Sequence, residues 1–279
     1  MRESSRAATD SISAEFSRIA SSMPLESRRL LVERVDPESI TPAQLLSALG
    51  RTSPTQMSMA WEAPVLQVGG LLSAKACKAL RAAVDGQRSV ANDSVDGGPE
   101  HQLNLSREAL ELLIGRAECT RLWEMPGHFR LQTAVVPVLD GTSDGALSSS
   151  MNRTTGERHA GELESEGISQ LRECFVRRYS TDSRPWIPFH TDAYEVTVNV
   201  ALCEDDSHTG GQLLGVHGGK IQAIHRGEGD ATVHSSKLLH AVSAMTSGVR
   251  YTLIAFFDRK GTAKGRWAED KMSGRLSTV

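Results

Sequence analysis

The spacing of apolar positions changes character twice along this chain. Over residues 1–60 it is helical: in SISAEFSRIASSM, Ile12, Phe16 and Ile19 fall on one face of a 3.6-residue repeat. Thr41-Pro42 reads as an N-cap with proline in the first helical position, opening AQLLSAL, and Gly50 is its stop. From residue 61 the signals shorten. APVLQVGGLLS predicts a strand and turn, and SAKACKALRAAVD an amphipathic helix capped by Ser73. DGQRSVANDSVDGGPEHQ is turn-rich, Ser106 caps a helix over REALELLIGRA, and HFRLQTAVVPVL is predicted to contain a strand. Residues 140–169 are small and polar without any period, which suits either a tolerated surface insertion or a mobile lid. Then come ECFVRRYS, EVTVNVALC, GQLLGV, KIQAIH, DATVH and VRYTLIAFF, separated by Gly, Asp and Ser. Short strands with no helices between them predict an antiparallel sandwich or jelly roll. The chain therefore reads as α+β with a mainly β core. A helical extension covers 1–60, one domain covers 61–260 with its centre at 171–258, and 261–279 is a polar tail.

Composition narrows the function. A formal net charge of −3 and the lack of a Lys/Arg run exclude the footprint of a nucleic-acid binder. No apolar stretch approaches membrane-spanning length, so no membrane partner is expected. MRESSRAATDSISAEFSRIASSM lacks the apolar centre of a secretory leader, and Glu3, Asp10 and Glu15 argue against a transit peptide. Cys77, Cys119, Cys174 and Cys203 are far apart and form no CxxC, which predicts free thiols and a cytoplasmic location. Nothing in the sequence sets the oligomeric state.

The candidate chemistry begins at PFHTDAYEVTVNVAL. With 9 His in the chain, about 0.45 His-x-Asp triplets are expected by chance, so His190-Thr191-Asp192 alone says little. Its setting says more, because side chains two apart on an extended segment share a face and reach one ion. Two imidazoles and one carboxylate are the set that suits non-heme Fe(II) and leaves positions open. A third ligand has to come from His208, His217, His225, His234 or His240. His217 in GVHGG and His225 before RGEGD read as exposed turn residues, and His234 as a structural neighbour of the site. His240 is preferred because it lies beside the strand bearing Arg250, whose guanidinium offers a fork for a carboxylate.

HTD, then TVNVALCEDDSHTGGQLLGV, then GDATVHSSKLLHAVSAMTSGVRYTLIAFFD resemble the catalytic region of the 2-oxoglutarate/Fe(II) dioxygenases of the prolyl and lysyl hydroxylase type. The likeness spans about residues 172–258, with a weaker echo in LQVGGLLSAKACKALRAAV. It implies a double-stranded β-helix, with His190, Asp192 and His240 as iron ligands and Arg250 as partner of the distal carboxylate of 2-oxoglutarate. It implies Tyr179 in RRYS beside that co-substrate, with Thr252 and Asn199 as further candidates by strand position. The cofactors implied are Fe(II) and 2-oxoglutarate, with ascorbate as an optional addition. The reaction implied consumes O2, converts 2-oxoglutarate to succinate and CO2, and hydroxylates a peptide or small-molecule substrate. Related halogenases lack the carboxylate, so Asp192 implies hydroxylation.

Two other readings stay open at this point. A non-catalytic jelly-roll binding module would be expected to lose one of the four residues. A catalytic zinc site would use three ligands and an open position but leave Arg250 without a role. Trp186 and Phe189 read equally as pocket lining or as packing, and Glu204-Asp205-Asp206 as a solvated turn or an attractor of a basic substrate.

Overall fold

The computed structural model describes residues 41, 43–45, 63–86, 93, 100–134, 169–218 and 220–259. The helix expected around Ile12–Ile19, the stop at Gly50, nearly all of 140–169 and the polar tail lie outside the described residues. Thr41 does cap a helical turn at 43–45. Its Oγ1 accepts from the Gln44 amide at 3.3 Å, while the Gln44 side chain accepts from the Thr41 amide at 2.9 Å. That reciprocal pair is a capping box.

Three helices follow from local sequence. Helix α1 (Ala74–Asp85) starts where the Ser73 hydroxyl accepts from the Ala76 amide, and it buries Ala76, Cys77, Leu80 and Val84. Helix α2 (Arg107–Ile114) is capped the same way by Ser106, and Gly115, at φ 85°, ends it. Helix α3 spans Arg116–Ala134 with Pro126 inside it. Of HFRLQTAVVPVL, predicted to contain a strand, residues 128–134 are instead the last turns of α3. Cys119, Leu122, Met125 and Phe129 are all buried, three or four residues apart, so burial against the sheet fixes the helical period there. Residues 135–139 are outside the described set.

Twelve strands are described: β1 (Val65–Val68), β2 (Gln102–Asn104), β3 (Ser169–Ser180), β4 (Ile187–His190), β5 (Val196–Ala201) and β6 (Thr209–Gly210), then β7 (Leu213–His217), β8 (Lys220–Ala223), β9 (Ala231–Ser235), β10 (His240–Val242), β11 (Met245–Ser247) and β12 (Val249–Arg259). A six-stranded sheet runs β1-β9-β5-β12-β3-β2, a four-stranded sheet runs β4-β10-β7-β8, and β6 pairs with β11. The pairing is nested: β3 with β12, β4 with β10, β5 with β9, β7 with β8, all antiparallel. The chain passes back and forth between the two larger sheets as it goes, so the fold is a jelly roll of the double-stranded β-helix kind. All six strands expected between residues 171 and 258 are present. β2, β4 and β10 are shorter than the runs that sequence reading recognises.

The larger sheet has two faces of opposite character. Cys174, Val176, Val196, Val198, Val200, Ala231, Val233, Leu253, Ala255 and Phe257 point to one side and pack in a single apolar core with α1, α2 and α3. Trp123 of α3 meets Phe257 edge-on, with centroids 5.7 Å apart. Burial of each large side chain on this face stabilises the fold by about 1.5–3 kcal/mol. The alternate residues of the same strands, among them Phe175, Arg177, Tyr179, Thr197, Asn199, Ile254 and Phe256, line a cavity inside the roll.

Candidate metal centre

Strand register places the candidate ligands. In the β4–β10 pair His190 lies directly opposite His240. β4 ends at His190, so Asp192 stands in the turn beyond it rather than on the strand. The turn nevertheless returns its carboxylate to the same point. Asp192 Oδ1 lies 3.6 Å from His190 Nε2 and 3.8 Å from His240 Nε2. Among the described residues, one ligand atom from each of the three lies within 4.8 Å of the others.

The donor set fits a metal. His190 Nδ1 is 2.8 Å from the Pro188 carbonyl oxygen and His240 Nδ1 is 3.1 Å from that of Leu238. A carbonyl can only accept, so each Nδ1 carries the hydrogen and each Nε2 offers a lone pair to the shared point. Burial and the neighbouring His240 ring push His190 down to about 3, which keeps the imidazole neutral and able to ligate. Burial opposes ionisation of Asp192, but the His240, His234 and His190 rings and the Thr197 hydroxyl outweigh it and hold the carboxyl below its ordinary value. Thr197 Oγ1 donates to Asp192 Oδ2, leaving Oδ1 free to face the two rings. Such partners orient a ligand and tune its basicity.

The cavity that opens on these residues has a volume of about 520 Å³. Tyr179 and Asn199 line it together with His190, Asp192 and His240. Arg250 and Thr252 sit on the same face of β12 as Ile254 and Phe256, deeper in the roll. Arg250 is 2% exposed, its guanidinium lies 4.9 Å from the Tyr179 ring centroid, and its Nη1 and Nη2 have no hydrogen-bond partner. Thr252 Oγ1 donates to Asn199 Oδ1 at 2.6 Å. The Gly210-Gly211 turn makes room for this end of the site. Both residues have positive φ, and a Cβ on Gly211 would stand 2.2 Å from Met245 Sδ and 3.3 Å from Arg250 Cδ.

Other candidates fall elsewhere. His225 is exposed, 3.8 Å from Asp205, as its turn context predicted. His217 is partly buried rather than exposed, because the β7–β8 hairpin folds the Gln222 amide against its ring at 3.0 Å. His208 Nδ1 is tied to the Gly210 carbonyl at 2.8 Å. His234 is fully buried, with its ring 4.8 Å from that of His240. Trp186 and Phe189 are buried and do not line this cavity. Asp205 accepts from the Arg226 amide at 3.0 Å, so that part of the acidic run braces a loop.

Sequence reasoning missed Thr197. The signal was present in VTVNV, where polar Thr197 and Asn199 alternate with apolar valines and so face the roll's interior. It also missed a buried ion cluster in which Arg177 pairs with Asp93 at 2.6 Å and Glu100 at 3.8 Å. Asp93 belongs to a turn-rich stretch that gives no sign of burial. Among the described residues no helix is long and apolar enough to cross a membrane.

No family model matches the sequence, and no curated protein matches it. Solved structures are similar. AviO1 from Streptomyces viridochromogenes Tue57 is 14% identical over 75% of this chain and 95% of its own, with a TM-score of 0.47. A prolyl-4-hydroxylase from Pseudomonas putida is 17% identical over 79% of this chain and 100% of its own, at a TM-score of 0.43. An oxidoreductase of the 2OG-Fe(II) oxygenase family from Burkholderia pseudomallei is 17% identical over 82% and 94%, at 0.42.

Proposed function

We propose that this chain is an Fe(II)- and 2-oxoglutarate-dependent dioxygenase that hydroxylates a peptidyl or free amino acid or a small metabolite, with residues 61–260 as the oxygenase domain. The observation that carries the reading is the convergence of two Nε2 lone pairs and one carboxylate oxygen on a single point beside a cavity. His190, Asp192 and His240 are the ligands in this reading, and Arg250, Tyr179, Thr252 and Asn199 form the co-substrate's end of the site. Bound there, Fe(II) and 2-oxoglutarate supply an oxidant able to attack an unactivated C–H bond, with the co-substrate leaving as succinate and CO2.

The chain's own contribution is placement. The Pro188 and Leu238 carbonyls hold the two imidazoles in one tautomer, and Thr197 turns Asp192 toward them. Arg250 offers two unpartnered buried donors, which suits a carboxylate better than any neutral group. A zinc site would give those donors no role. At the mouth, Tyr194 stacks on Phe256 at 5.2 Å and donates to Glu173 at 2.5 Å. An aromatic wall with a carboxylate at its rim suits a substrate with an apolar body and a basic nitrogen. The described cysteines are all buried and unpaired, and burial pushes Cys77 and Cys174 up to about 12, which leaves them as inert thiols.

The test is O2 uptake and succinate release by purified protein given Fe(II), 2-oxoglutarate and a panel of amino-acid, peptide and metabolite candidates. Succinate release that His190→Ala removes is the expected result. Failure of the wild type to bind Fe(II) or Mn(II) would instead make the chain a non-catalytic jelly-roll module.

A further inference from the structure

The inner end of the roll holds two buried guanidiniums, and the ligand set above uses only one. Arg226, in the segment between β8 and β9, is 5% exposed and Arg250 is 2% exposed. Neither has a carboxylate within ion-pair distance among the described residues, and Asp205, the nearest acid to Arg226, takes its backbone amide instead. The two cations feel each other: burial, and next Arg250, push the Arg226 guanidinium down to about 9. Arg226 Nε, Arg250 Nη1 and Arg250 Nη2 are all buried without a hydrogen-bond partner. Uncompensated buried charge of one sign is costly, and an anion bound near them would offset it.

Arg226 also sets the direction of a neighbour. Its Nη1 donates to Asn199 Oδ1 at 2.7 Å and to the Asn199 carbonyl at 3.2 Å. The Thr252 hydroxyl, with one hydrogen, lies 2.6 Å from the same Oδ1 and 2.9 Å from the Val200 carbonyl. A guanidinium cannot face an amide NH2, so the Arg226 contact fixes Oδ1 as the atom that faces it. The Asn199 nitrogen is thereby turned away from Arg226, and Asn199 lines the cavity.

We propose that Arg226 is a positioning residue for the distal carboxylate of the co-substrate: Arg250 contacts it, while Arg226 adds a second positive charge and locks Asn199 as a donor into the same cavity. This rests on the reading of the site as a 2-oxoglutarate site. The ligand class it demands is a carboxylate at the far end from the metal.

The experiment compares 2-oxoglutarate with 2-oxopentanoate, which keeps the keto-acid head and lacks the distal carboxylate. Binding of each to Mn(II)-loaded protein is measured without O2, and KM and kcat for 2-oxoglutarate are measured with Fe(II). In Arg226→Gln the dissociation constant and KM for 2-oxoglutarate should rise about tenfold, the size of one charge-assisted contact, with 2-oxopentanoate binding unchanged. Arg226→Lys, which keeps the charge and is the fallback should the glutamine variant not fold, should show a smaller rise with the same selectivity. Equal weakening of both ligands, or no change in either, overturns the proposal. If wild type binds no 2-oxoglutarate, the functional reading fails by itself. The two-arginine site is then decided by thermal stabilisation of metal-free protein by glutarate. Stabilisation that Arg226→Gln reduces supports the site, and none in the wild type overturns it.

Discussion

The two faces of the larger sheet are built from the same strands and obey opposite rules. Val196, Val198 and Val200 of β5 join the helix-backed core, while Thr197 and Asn199, between them, face the cavity. Leu253, Ala255 and Phe257 of β12 pack outward, while Arg250, Thr252 and Ile254 face in. On the outer face every side chain gains by leaving water, and the helices complete the burial. On the inner face several polar atoms are withdrawn from water and left without partners: Arg250 Nη1 and Nη2, Thr232 Oγ1, His234 Nε2 and Arg226 Nε. Orphans of this kind cost free energy. One face supplies the stability that the other consumes.

That division can be broken at chosen points. The largest effect is expected from His190→Ala, which should abolish metal binding and succinate release while leaving the thermal midpoint of metal-free protein within a few degrees. A collapse of the fold would show that the inner face also holds the roll together. Next, Leu253→Ala on the outer face should lower unfolding free energy by about 2–5 kcal/mol in urea titrations, with metal affinity of the folded fraction unchanged. Arg250→Gln should raise the 2-oxoglutarate requirement about 10- to 100-fold, yet raise the thermal midpoint of ligand-free protein by removing an uncompensated buried cation. A lowered midpoint would mean that this cation already has its partner.

The smallest effect is on pH. Burial lowers His190 from 6.5 to about 3, and burial with the His240 ring lowers His234 to about 4. The unfolded chain therefore binds more protons than the folded one across that window. Stability of metal-free protein should be complete above pH 6.5 and decline as pH falls from there toward 3, read as a falling midpoint between about pH 7 and pH 5. A flat midpoint would place these rings in contact with water.

Legibility from sequence followed the same division. Alternation in EVTVNVALC and VRYTLIAFF made the strands readable, because a half-apolar sheet writes its period into the chain. His190, Asp192, His240 and Arg250 stood out through spacing and residue type. The helical repeat of α3 was not legible in HFRLQTA, because only burial of Cys119, Leu122, Met125 and Phe129 reveals it. The roles proposed for Arg226 and Thr197 were not legible, because each depends on a partner brought in from elsewhere in the chain. A turn arginine and a strand threonine carry no local mark of that.

The nested pairing has a consequence in time as well as space. β3 is tied to β12 from Ser180↔Val249 to Ser169↔Arg259, an early strand bonded along its length to the last. Such long-range closure makes for slow folding, and synthesis delivers the chain from its N-terminus. His190 and Asp192 leave the ribosome before His240, and Arg250 follows on the last strand. A nascent chain thus holds all three candidate ligands, but not Arg250, until β12 is made. In the proposed reading, the end of the site that holds the co-substrate's distal carboxylate is therefore the last part of the roll to be completed.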